Sequence, residues 1–240
     1  TKIPNSENKY FLKSIKKIIK KKNIDIVIPG SDEEALKLSK NKDKLKTFIS
    51  CPNKNKIKFI NDKFQVLSKL KKEKIFNIDF FKINSFKNLQ SKILVYKKKN
   101  ADFVIKPIFS RGGRDVLTIN KYQNKNLLFF NKKREITVKR SFFYRNQDKL
   151  LSKYKKKLPL IFMDKLFQPN LDIDILSWNG KLIKYVIRQR IGFQAQRGSI
   201  ILKQNNKIKK ILKKISKIFN LTGIYDCDFM FDKNKQPTLL

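Results

Sequence analysis

The chain has 240 residues and a formal net charge of +39, from 58 Lys and Arg against 19 Asp and Glu, with no histidine. That length holds one large domain or two small ones with a real core; no apolar run reaches membrane-spanning length, and two cysteines without histidine partners make no zinc pattern and suit a reducing compartment. Such charge ordinarily suggests nucleic acid or an anionic membrane, but lysine far outnumbers arginine, the lysines are spread along the chain, and alanine stands only at Ala35, Ala101 and Ala195, so the excess reads as the surface bias of an AT-rich coding sequence.

Tyr10, Ile15, Ile18 and Ile19 space as one face of an amphipathic helix. Ile24 to Pro29 then reads as a short buried strand, Gly30 as a turn, and Ser31-Asp32-Glu33-Glu34 as a capping box opening a second helix. This piece suits an α/β layer but is too short to make a sheet alone. A further helix is expected from Asp62, with Gln65 at the reciprocal capping position, through Leu70, and another from Ser85 to about Lys98. Phe103 to Pro107 and Val116 to Ile119 read as strands on either side of a loop. Residues 121–157 are lysine-rich with scattered aromatics and little period, part helix and part insertion. Leu160 to Met163 reads as a buried strand. Ile173 to Leu176 and Leu182 to Arg190 form a hairpin about Asn179-Gly180, the strongest local turn signal in the chain. Ile208, Ile211, Leu212, Ile215, Ile218 and Phe219 give a helix stopped by Asn220 and Gly223. A closing hairpin runs from Ile224 to Leu240.

Three features carry chemistry. Two of only seven glycines are adjacent in Ser110-Arg111-Gly112-Gly113-Arg114-Asp115-Val116, between two strands, where flexible backbone can turn N–H groups toward a phosphate. The Walker A pattern fails, because no Lys-Ser or Lys-Thr follows and a strand replaces the helix; the useful cation is Lys106, on the preceding strand. Arginine is the rarer cation, and Arg188 and Arg190 share one strand face at i, i+2. The last strand puts Asp226, Asp228 and Asp232 on one face, an acidic stripe that suits a hard cation. A turn symmetric about Lys233 to Gln236 places Asp228 opposite residue 241. Both ends cut elements of secondary structure, so the expectation is an excerpt of a longer protein, truncated before a second metal ligand.

Taken in order, Asp62-Lys63, Val104-Ile105-Lys106-Pro107, the Gly-Gly loop, Phe162-Met163-Asp164-Lys165-Leu166, Asp172-Ile173-Asp174-Ile175-Leu176, Arg188-Gln189-Arg190 and Asp226 to Asp232 resemble the ATP-grasp superfamily, in the branch of the carbamoyl phosphate synthase large subunit and the amino-acid ligases. The resemblance covers roughly residues 10–240. It implies an α/β (α+β) fold of two α+β lobes sandwiching ATP, behind the tail of a Rossmann-like domain. The implied division is 1–58 for that tail and 59–240 for the ATP-grasp domain, with a lid at about 94–162 and a C-terminal lobe at 163–240.

The resemblance also implies roles. Lys63 and Lys106 meet phosphate, and Ser110, Arg111, Gly112, Gly113, Arg114 and Val116 belong to the mobile loop over the β- and γ-phosphates. Met163, Asp164, Lys165 and Leu166 read the adenine edge, and Asn170 stands where a Glu commonly holds the ribose. Asp228 is the first metal ligand, for Mg²⁺ or Mn²⁺. Arg188 and Arg190 face the transferred phosphoryl group. Asp115 replaces a glycine common in the loop and puts negative charge there.

The implied activity is a cytoplasmic, Mg-dependent ligase that phosphorylates a small-molecule carboxylate to an acyl phosphate for attack by an amine, as a carboxylate–amine ligase or a carbamoyl phosphate synthase-like enzyme. A membrane partner is not expected, nucleic acid is disfavoured, and a homo-oligomer is allowed. The alternatives are a catalytically degenerate ATP-binding domain, or a nucleic-acid module in which Phe129, Phe130, Phe142, Phe143, Tyr144 and Tyr154 stack bases within 121–157.

Overall fold

The structure is a computed structural model that describes residues 2–110, 112–122, 135–191 and 198–240. It begins with helix α1 (Phe11–Lys22), which buries Phe11 and Ile15 and ends where Asn23 turns left-handed at φ 47°. Strand β1 is only Ile26–Val27. The buried strand expected from Ile24 to Pro29 is corrected here: Ile26 is 55% and Ile28 58% exposed. Ser31 caps α2 (Asp32–Ser39) by accepting from the Glu34 N–H at 3.3 Å. Glu34 reaches back one residue further than the box predicts, to the Gly30 N–H at 2.7 Å. Strand β2 (Phe48–Ile49) pairs with β1 in parallel, and α3 (Lys54–Asn61) follows. Phe11, Ile15, Leu38, Leu45, Ile49 and Cys51 form a small core.

Helix α4 (Lys63–Lys72) starts at Asp62, whose carboxylate accepts from the Gln65 N–H at 2.9 Å and from Gln65 Nε2 at 2.8 Å. Strand β3 (Phe80–Ile83) leads to α5 (Phe86–Lys98), capped by Ser85. Then come β4 (Phe103–Pro107), β5 (Leu117–Asn120), β6 (Ile136–Lys139), α6 (Arg140–Arg145), α7 (Gln147–Leu151), a 3-10 helix at Ser152–Lys157 and β7 (Leu160–Asp164). These strands make one five-stranded sheet in the order β3-β7-β4-β5-β6. Phe103, Phe143 and Phe162, all fully buried, centre its core, and Phe103 stacks on Phe162 at 4.7 Å. Phe143 and Tyr154 are both 0% exposed, which removes them as base-stacking platforms; Phe129 and Phe130 lie outside the described residues.

The last stretch holds β8 (Phe167–Trp178), β9 (Lys181–Ile191), β10 (Gly198–Leu202), α8 (Asn206–Ile218), β11 (Gly223–Phe231) and β12 (Pro237–Leu239). The second five-stranded sheet runs β10-β9-β8-β11-β12. The turn between β8 and β9 is the expected one, with Asn179 at φ 47° and Gly180 at φ 77°. Strand β8 extends well past the bounds read from the sequence and β9 by one residue at each end, and β10 had no clear signal there. Helix α8 packs on β9 and buries Ile208, Leu212 and Ile215. The chain forms two compact units. One is residues 1–61, 169–230 and 239–240; the other is 62–168 with 231–238. No helix among the described residues is long and apolar enough to cross a membrane.

Candidate functional site

In the unit built on residues 62–168, a glycine loop joins two strands of the first sheet. Strand β4 lies inside its sheet, paired with β5 on one edge and β7 on the other, and its residues are mostly buried, yet it carries Lys106, only 4% exposed. A buried ammonium on a core strand is costly to place. Gly112 and Gly113 sit at φ 59° and 70°, the region glycine enters freely, and Asp115 also lies there at φ 57°. Lys63, at the start of α4, donates from Nζ to the Ser110 carbonyl. The cap at Asp62 thus aims a lysine at the loop. Arg114 is exposed, Val116 is half-buried, and Arg111 lies outside the described residues.

The carboxylate of Asp115 is held by lysines of the 3-10 helix. It pairs with Lys157 and, at 3.8 Å, with Lys153 on the 3-10 helix, while Tyr154 donates its hydroxyl to the Asp115 carbonyl at 3.0 Å. The negative charge expected in the loop is therefore neutralised by lysines, and Asp115 fastens the loop's return to the sheet. Asp115→Gly is expected to leave stability within about 1 kcal/mol, since loss of partly exposed ion pairs is offset by easier left-handed backbone. The same change should speed hydrogen exchange at Gly112 to Val116, read by mass spectrometry.

The segment Met163 to Leu166 is split. Met163 pairs with Phe80 on one side and Val104 on the other, and the Asp164 N–H donates to the Asp79 carbonyl at 2.9 Å. The Asp164 carboxylate accepts from the Tyr96 hydroxyl at 2.6 Å and the Asp79 N–H at 3.2 Å. Burial, helped by this hydrogen bond and the nearby acid charge, pushes the Tyr96 hydroxyl far above its ordinary value. Strand β7 ends at Asp164, so Lys165 and Leu166 lie outside its ladder. Lys165 sits 3.8 Å from Asp102 and over the Phe167 ring at 4.7 Å; Leu166 is buried.

The other unit gathers charge on one face of the second sheet. Strand β8 supplies Asn170, Asp172 and Asp174 at every second position, and β9 supplies Arg188 and Arg190. Arg188 grips Asp174 with two hydrogen bonds of 2.8 Å. Arg190 Nε donates to Asp172 Oδ2 at 2.7 Å, and its Nη2 donates to Asp228 Oδ1 at 2.6 Å and also pairs with Asp172 Oδ1. Asp172, Asp226 and Asp228 each bring a carboxylate oxygen within 4.8 Å of the other two.

Crowding shows in their acidities. Burial pushes the Asp228 carboxyl up to about 7, with a hydrogen bond to Asp172 and the charges of Asp226 and Asp172 adding to it against the pull of Arg190. Asp226 is raised too, by burial and then by Asp172 and Asp174. Asp172 moves the other way: burial opposes its ionisation, but hydrogen bonds from Arg190 and Asp228 hold it below its usual range. Three hard oxygen donors with one arginine between them are the donor chemistry of a small divalent cation, so these residues fit a magnesium ion. Burial and the adjacent acids push the Cys227 thiol up to about 12, which leaves no thiolate nucleophile beside them.

Two sequence readings change. The closing turn is three residues long: Asp232 donates its N–H to the Gln236 carbonyl at 3.0 Å, its side chain accepts from the Asn234 and Gln236 N–H groups at 2.8 Å each, and Lys235 sits at φ 56°. Asp232 therefore caps the turn instead of joining the acidic face. The Leu240 N–H donates to the Asp228 carbonyl at 2.9 Å, so Leu240, and not residue 241, lies across from Asp228. Asp172, by contrast, was missed as a member of the acidic group; its only signal was the alternation of Asp172 and Asp174 facing the expected arginine strand.

No family model matches the sequence, and no curated protein matches it. Solved structures do share its fold. An L-amino acid ligase from Bacillus licheniformis aligns with a TM-score of 0.64 at 13% identity, over 99% of this chain and 53% of the ligase. The biotin carboxylase domain of a Hydrogenobacter thermophilus 2-oxoglutarate carboxylase, in complex with MgADP, ADP and bicarbonate, gives 0.64 at 14% identity over 100% and 52%. A D-alanine–D-alanine ligase from Bacillus anthracis complexed with ATP gives 0.58 at 14% identity over 94% and 70%. The chain spans about half the length of the first two.

Proposed function

We propose that this chain, whose fold is that of the ATP-grasp ligases, binds Mg-ATP and serves an ATP-dependent ligase that activates a carboxylate for attack by an amine or similar nucleophile. The observation that carries the reading is the grouping of Asp172, Asp226 and Asp228 on a sheet face that also holds Arg188 and Arg190. Asp228, Asp226 and Asp172 would hold the metal, which when bound would neutralise charge on phosphate oxygens. Lys63 and Lys106 would hold phosphate, and the backbone of Gly112 and Gly113 would offer N–H donors to it. Lys165 and Leu166, beyond the end of β7, would supply the backbone groups that read adenine, and Asn170 would meet the ribose. On this reading the chain divides at 58/59, with a lid at about 94–162 and a C-terminal lobe at 163–240.

Phosphoryl transfer needs positioning and charge neutralisation more than covalent help, which suits a site of arginines and carboxylates. The test is a thermal melt with ATP, with and without Mg²⁺, followed by ADP release across a panel of amino acids. Metal-dependent protection by ATP together with amino-acid-stimulated ADP release is expected. Protection without ADP release would mean a nucleotide-binding domain without turnover, and no protection by ATP at all would end the reading.

A further inference from the structure

We propose that Arg190 is an exchangeable cation of the carboxylate cluster, holding Asp228 while no metal is bound and releasing it when one arrives. The inference rests on the metal reading of Asp228. One guanidinium spans two carboxylates: Nε reaches Asp172 at 2.7 Å, and Nη2 reaches Asp228 at 2.6 Å while also pairing with Asp172. Both carboxylates it engages belong to the group whose oxygens come within 4.8 Å of one another, the group a divalent ion would take. Magnesium approaches its ligands to about 2.0–2.1 Å and accepts little distortion. A dication and a guanidinium repel strongly when they share so small and partly buried a space. One of them must yield.

The geometry says which bond yields. Arg190 holds Asp172 through both carboxylate oxygens but Asp228 through one. Asp172 is nearly buried, whereas the Asp228 side chain is 45% exposed. Release from Asp228 leaves Arg190 anchored on Asp172 through Nε and Nη2, with the Nη2 hydrogen that Asp228 had accepted set free. That freed N–H is a charge-assisted donor beside the metal, suited to an anionic oxygen on a bound substrate. Metal loading and presentation of the arginine become one event. Arg188 supplies the internal comparison: it lies two residues away on the same face, carries the same charge, and is bonded to Asp174 outside the group of three.

Exchange means competition, so removing the guanidinium should strengthen metal binding. Mn²⁺ is titrated into nucleotide-free protein and the free ion followed by electron paramagnetic resonance. Arg190→Gln is expected to bind about tenfold more tightly than the unaltered chain, and Arg188→Gln to change by less than about threefold. Arg190→Lys keeps the charge but cannot fork across two carboxylates, and should fall between. Equal tightening in Arg188→Gln would reduce the effect to a general field and overturn the exchange. So would unchanged or weaker binding in Arg190→Gln.

A second measurement does not depend on a variant folding well. Mg²⁺ added to the unaltered protein should shift the Arg190 Nε–H resonance and leave that of Arg188 in place; an Arg190 resonance indifferent to saturating Mg²⁺ overturns the proposal. Absence of Mn²⁺ binding in the unaltered chain, even with ATP present, would instead defeat the metal reading itself, and the exchange with it.

Discussion

Asp228→Asn is expected to lower metal-dependent ADP release by about 100-fold or more, the scale seen when one preorganised electrostatic contact to a developing charge is removed. The amide keeps the shape of the side chain and its place on β11 but offers a metal a neutral oxygen. The same change should alter stability with the opposite sign. Burial, the Asp172 hydrogen bond and the neighbouring acids push the Asp228 carboxyl from its ordinary 3.8 up to about 7. A carboxyl raised on folding favours the folded state most below its unfolded value, and that stabilisation is lost as pH rises from about 3.8 through about 7. Asparagine has no proton to lose. The metal-free variant should therefore gain stability over the unaltered chain as pH climbs through that window, measured by denaturant melts at pH 5 and pH 8. A variant no more stable at pH 8 than at pH 5, relative to the unaltered chain, would show that the cluster is relaxed in solution.

Lys106→Met should weaken ATP binding by about 10- to 100-fold, the worth of one hydrogen bond to a charged group. The residue is 4% exposed on β4, an interior strand paired with β5 on one edge and β7 on the other. Methionine matches the lysine stem in length, so the variant is expected to fold, and its melt is read alongside the affinity. Calorimetric titration with ATP reads the affinity, and the melt reads the fold. Unaltered affinity in a folded variant would remove Lys106 from the phosphate contacts and leave it a structural lysine of the core.

The part of the fold legible in the sequence is the part written by neighbours along the chain. Helices α1, α4, α5 and α8 came from apolar spacing and from caps at Asp62 and Ser85 that the structure reproduces. The Asn179-Gly180 turn announced itself, because few other residues enter its left-handed backbone so readily. Strand β1 was misjudged because an apolar run does not say whether anything covers it, and Ile26 and Ile28 are more than half exposed. Aromatics in the lysine-rich stretch misled in the reverse sense. Phe143 and Tyr154 looked available, yet they fill the core of the first sheet.

The candidate site shows the division most sharply. The sequence by itself determined which residue types were present and which shared a strand face: Asp226 with Asp228, Arg188 with Arg190, Asp172 with Asp174. Only the tertiary structure decided who faces whom. A turn continued without interruption from Trp178 opposite Lys181 would set Asp172 against Ile187. An irregularity between Leu176 and Ser177 shifts the register by one residue and brings Asp172 opposite Arg188. One residue likewise separates the three-residue turn at Asp232 from the four-residue turn first expected, and it moves the partner of Asp228 to Leu240. The side-chain period of a strand is two, so each single-residue step exchanges one face for the other. Such steps are set by bulges, turn capping and packing across strands, none of which the local pattern of a strand records.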